Sequence, residues 1–103
     1  MNALQGIFLE EIERLQRNIL NYKEMLVSLP RGSIFVRKMG NSFFVYRRRK
    51  ENGKVVSESL GNIDDFKAKE QIQLSNEYKR IKNNIRVASQ ELAKLKKAYK
   101  AYE

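Results

Sequence analysis

The chain has 103 residues, with no Cys, no His and a formal net charge of +9. A chain of that length forms one domain with a thin core. The missing residue types exclude disulfides and thiolate metal sites and remove the commonest general base. The charge is also concentrated: residues 31–54 hold eight cations against Glu51 alone, whereas residues 1–30 hold three cations and four acids. That distribution is an electrostatic footprint for a polyanion rather than a general aid to solubility.

Asn2 and Gln5 fit an N-cap and its reciprocal partner, and a helix is expected from there over residues 2–29. Leu4, Phe8, Ile12, Leu15, Ile19, Tyr22, Leu26 and Leu29 recur at spacings of three or four residues, which makes a coiled-coil-like seam. Glu10 with Arg14 and Glu13 with Arg17 stand in the favoured i,i+4 order. Ile7, Leu9, Leu20, Met25 and Val27 lie off the seam and widen the apolar surface beyond what one partner helix covers. Pro30 ends the helix near Ser28 or Leu29.

A β-meander is expected over residues 33–60. Ser33 to Lys38 reads as a strand closed by Gly40, Asn41 and Ser42, and Phe43 to Lys50 reads as the next. Asn52-Gly53 is a type I′ hairpin signal leading into the strand Lys54 to Leu60. A second helix over residues 63–102 follows, with Asn62 or Asp64 as its cap. Its seam is Leu74, Tyr78, Ile81, Ile85, Ala88, Leu92, Leu95, Tyr99 and Tyr102, and Ile63, Phe66 and Ile72 precede it as contacts to the sheet. The seam residues of the two helices cover similar lengths. The expected fold is α+β in the order α-β-β-β-α, a single domain in which a long antiparallel helical hairpin carries a three-stranded antiparallel meander at one end. Self-association into a homodimer would complete the core of so thin a hairpin.

The chemistry lies in the middle strand, where Phe43-Phe44-Val45-Tyr46 is followed at once by Arg47-Arg48-Arg49-Lys50. Aromatic surface beside phosphate-neutralising charge is used by readers of nucleic acid. Alternation puts Phe43, Val45, Arg47 and Arg49 on one face and Phe44, Tyr46, Arg48 and Lys50 on the other. Both faces end in cations, so the change from apolar to basic is expected along the strand, with Arg47 to Lys54 forming a projecting tip. Arg37, Lys38, Tyr46, Arg47, Arg48, Arg49, Lys50 and Lys54 are the candidate contacts. The bland alternative is a Phe and Val core with a solvated basic edge that discourages strand pairing between molecules. Solubility alone does not favour three consecutive arginines over Lys or Glu. Lys79, Arg80, Lys82, Arg86, Lys94, Lys96, Lys97 and Lys100 make a second basic set, read first as a solvated helix face.

The stretch from Gly32-Ser33-Ile34 through Phe43 to Arg47, Asn52-Gly53-Lys54 and Ser59-Leu60-Gly61 resembles the three-stranded arm-type DNA-binding domains of phage-type tyrosine recombinases. It is also similar to small phage and mobile-element proteins of Gram-positive bacteria. The resemblance covers residues 32–66 and implies contact with DNA through a sheet. The long flanking helices and the lack of a catalytic domain depart from that pattern, so no recombination activity is carried over. Catalysis is not expected from these residues, nor is a cofactor or metal. Asp64, Asp65 and Glu70 lack the strand context of a two-metal site. No apolar run is long enough for a signal peptide or a membrane span, so a cytoplasmic protein with no membrane contact is expected.

The leading reading is a non-enzymatic DNA- or RNA-binding accessory protein. A second is a mobile-element inhibitor of the anti-CRISPR kind, whose basic tip binds a nuclease such as a CRISPR effector or its guide-RNA channel. A third is a structural coiled-coil dimerisation module.

Overall fold

The computed structural model describes residues 3–102. It has the expected order: α1 (Ala3–Val27), β1 (Ser33–Met39), β2 (Ser42–Glu51), β3 (Lys54–Asn62) and α2 (Phe66–Tyr102). The expected cap at Asn2 lies outside the described residues. The chain divides into two compact units, one made of the residues up to Ser28 with those from Arg80 onward, the other of Leu29–Lys79. Helix α2 contributes to both. No helix among the described residues is long and apolar enough to cross a membrane.

In the helical unit the three- and four-residue spacing works as a seam. Ile12, Leu15 and Ile19 are buried on α1, and Ile81 and Ala88 are buried on α2. Ile85, Leu92 and Leu95 pack against the cluster of Leu15, Ile19 and Ala88, while Tyr22 and Leu26 are half-buried. Phe8 meets Tyr102 with ring centroids 6.3 Å apart, so the start of α1 lies against the end of α2 and the pair is antiparallel. Off the seam, Ile7, Leu20, Met25 and Val27 are exposed. Arg14 turns to Glu11 rather than to Glu10, its Nε donating to both carboxylate oxygens at 3.0 and 3.1 Å. That hydrogen bond, with the charge attraction behind it, holds the Glu11 carboxyl below its ordinary range.

In the sheet unit the strands lie in the order β1-β2-β3, all antiparallel. Two-residue turns join them. Gly40 alone has positive φ in the first, as a type II′ turn requires, and both Asn52 (φ 51°) and Gly53 (φ 78°) do in the second, as type I′ requires. β3 continues past Leu60 to Asn62 because of a bulge: Tyr46 pairs with Ser59 and Val45 with Gly61, leaving Leu60 as the extra residue. Val45, Leu60 and Ala68 form the core, with Ile34, Ile63 and Ile72 packed on it.

Helix α2 starts later than residue 63 because a turn comes first. Asn62 Oδ1 accepts from Asp64 N at 3.0 Å, and Asp65 N donates to the Asn62 carbonyl at 2.9 Å. Asp65, rather than Asn62 or Asp64, then takes the N-cap position: its carbonyl accepts the first helical bond from Lys69 N at 3.0 Å. Its carboxylate reaches back to Asn62 N at 3.1 Å. The phase of α2 against the sheet is therefore set by Ala68 and Ile72, and Phe66, expected as a sheet contact, is 81% exposed.

Two outcomes follow from these geometries. A Cβ on Gly32 (φ +104°) would stand 2.5 Å from the Arg48 carbonyl oxygen, so Gly32→Ala should lower stability by about 1–3 kcal/mol in urea unfolding. The Glu11 contribution is present above the ordinary Glu value, about 4.3, and is lost as pH falls through its lowered folded value. Arg14→Ala should return the Glu11 titration, followed by NMR, to the ordinary range.

Candidate nucleic-acid interface

The two-residue period of β2 sends three consecutive arginines to three environments. Val45, Arg47 and Arg49 share the face on which Ala68 and Ile72 of α2 pack. Arg47 is only 7% exposed; its Nη2 donates to Gln71 Oε1 at 2.6 Å, and its Nε is buried without a partner among the described residues. Arg49, half-buried on the same face, donates from Nη1 to Glu58 Oε2 at 2.8 Å and has Glu51 at 3.7 Å. Arg48 points the other way and is exposed. The projecting tip expected at Arg47 to Lys54 is thus divided, and Arg47 is buried rather than part of it.

The opposite face carries an ordered row. Phe35 on β1 lies across from Tyr46 on β2, and their rings stack with centroids 5.2 Å apart and planes 15° apart. The Arg48 guanidinium lies 4.6 Å from the centroid of Phe35, and that of Arg37 lies 5.8 Å from the centroid of Tyr46. The sequence of groups is guanidinium, ring, ring, guanidinium. Each cation–ring pair of this kind contributes about 0.5–1 kcal/mol at an exposed site, enough to bias a long side chain toward one position. Tyr46 Oη also reaches Met39 Sδ at 3.8 Å. On β3 the residues opposite this row are small: Ser59 faces Tyr46 and Ser57 faces Arg48.

Lys50 and Lys54 are exposed at the β2–β3 end. Lys38 is exposed with its Nζ 5.9 Å from the centroid of Phe43, itself exposed, on the face opposite to that of Arg37. The structure therefore brings together Arg37, Tyr46 and Arg48, and adds Phe35, which is absent from the sequence-based candidates. Its signal lies in the first turn: two residues at Gly40-Asn41 force Met39 opposite Ser42 and hence Phe35 opposite Tyr46. The second basic set, from Lys79 to Lys100, is exposed throughout. Among the described residues no group of three or more acids is placed to hold a metal ion.

Comparison of the chain with protein-family models, with curated proteins and with solved structures finds no match.

The separation of Arg47 from Arg48 is measurable. Gln71→Leu takes away the acceptor of a buried guanidinium and should lower stability by about 1–3 kcal/mol. Adding Arg47→Met removes the charge and keeps the bulk, and should recover most of that stability in the double variant. Arg48→Ala should change stability by less than about 1 kcal/mol. Chemical denaturation of the four proteins reads all of these.

Proposed function

We propose that the protein is a non-enzymatic nucleic-acid-binding accessory protein whose contact surface is the sheet face bearing Arg37, Phe35, Tyr46 and Arg48. The observation that carries this reading is the row in which two exposed guanidiniums cap a stacked aromatic pair. A guanidinium lying on a ring keeps its N–H edge free, and that edge matches phosphate oxygens bidentately. The rings here serve to hold the arginines. Phe35 has Arg48 and Tyr46 against it, and Tyr46 has Phe35 and Arg37, so neither offers an empty platform for a base. The contact is accordingly with phosphates and groove edges, and it is dominated by charge. Lys50, on the same face, extends it toward the β2–β3 end.

The resemblance to arm-type DNA-binding sheets points in the same direction. Self-association belongs to the same reading: Leu20 and Val27, both exposed and seven residues apart on one flank of α1, offer an apolar strip for a second copy, which would bring a second basic sheet to one polyanion.

The test is the salt dependence of binding to generic duplex DNA and RNA. Each phosphate neutralised contributes about 0.9 to the slope of log affinity against log salt on B-DNA. Arg37→Ala combined with Arg48→Ala should flatten the slope by about that amount for each phosphate no longer held, with the circular dichroism spectrum unchanged. An unchanged slope in the folded double variant would rule this face out.

A further inference from the structure

The Arg48 end of this face opens into a hollow of about 300 Å³ lined by Gly32, Ser33, Arg48, Arg49, Lys50 and Val55. Register explains its make-up: Ser33 lies opposite Arg48 and Val55 opposite Lys50, so the start of β1, the end of β2 and the start of β3 converge there. Gly32 passes close to the Arg48 carbonyl in a backbone conformation that leaves no room for a Cβ, which keeps that wall free of a side chain. Three of the six lining residues are cations and none is an acid.

The charges in the hollow are not equally available. Arg49 directs its side chain to the α2 face, where Glu58 and Glu51 pair with it, whereas no carboxylate among the described residues pairs with Arg48 or Lys50. Two uncompensated positive charges therefore border one hollow. An internal phosphodiester brings a single negative charge, while a phosphomonoester carries about −1.5 to −2 near neutral pH and three acceptor oxygens. Val55, 60% exposed, adds an apolar wall suited to the carbons of a sugar rather than to a bare ion. We propose that this hollow receives the terminal phosphomonoester of a nucleic-acid strand, so that the sheet face prefers phosphorylated strand ends. The proposal rests on the nucleic-acid reading of the same face.

The experiment compares one short oligonucleotide, single-stranded and annealed, carrying a 5′-phosphate, a 3′-phosphate or hydroxyl ends, with a nucleoside monophosphate as the free phosphomonoester. Extra hydrogen bonds between charged groups should make at least one phosphorylated form bind about tenfold tighter than the hydroxyl form. Val55→Glu sets a carboxylate in the hollow and should erase that preference while the helical circular dichroism signal is retained. Lys50→Ala should reduce it in the same direction. Equal affinity for phosphorylated and hydroxyl ends overturns the assignment of the hollow and leaves salt-dependent binding by the sheet face standing. A nucleoside monophosphate binding as tightly as the phosphorylated oligonucleotide overturns the assignment to a strand end. Absence of binding by every oligonucleotide overturns both readings.

Discussion

Val45 has no solvent exposure and sits in one cluster with Leu60 and Ala68. That packing fixes which face of β2 turns toward α2, and every other position on the strand follows by alternation. A slip of one residue would bury Tyr46 and Arg48 and expose Val45. The bulge at Leu60 and the positive φ of Gly61 belong to the same constraint. A side chain at Gly61 would meet the Asp65 carboxylate at 2.8 Å, the group that holds the turn into α2. The start of α2, and through it the placement of Ala68 over Val45, depends on that close passage.

The same alternation makes Arg47 an internal residue at some energetic disadvantage. A hydrogen bond involving a charged group contributes about 1.5–3 kcal/mol, whereas burying an ion costs several. One bond to Gln71 does not offset that, and the buried Nε has no partner among the described residues. What favours Arg47 is its aliphatic stem, which fills space beside Gly32. Three adjacent arginines thus divide into a buried spacer, a member of an ion-pair group and an exposed cation lying on a ring. Their chemical identity is the same, and their roles differ only through parity and neighbours.

Much of the architecture is legible in the sequence because its signals are periodic. The seam positions Ile12, Leu15, Ile19, Ile81 and Ala88 recur at helical spacing and are buried, and Asn52-Gly53 fixes a turn through φ alone. Less legible are features that depend on which of two equivalent faces receives the helix. Arg47 and Arg48 look alike in sequence, since neither face of β2 is purely apolar, and the choice is made by residues more than a dozen positions away. Phe66 is apolar and in phase, yet a capping turn set by Asn62 and Asp65 places the helix so that Ala68 takes its position against the sheet. The Phe35 and Tyr46 pair is deducible from the first turn, though only if that turn is taken to be two residues long.

Lysine in place of arginine at positions 37 and 48 would keep the charge and abolish the arrangement. A guanidinium is flat and weakly hydrated, so it can lie on a ring and still present donors at its edge; an ammonium is compact and holds its water. The stack also occupies the ring surfaces that a base would need. Under the proposed nucleic-acid reading, such a face would discriminate by the spacing and charge of phosphates rather than by the identity of bases; the residues opposite Arg48 and Tyr46 on β3 are the small Ser57 and Ser59.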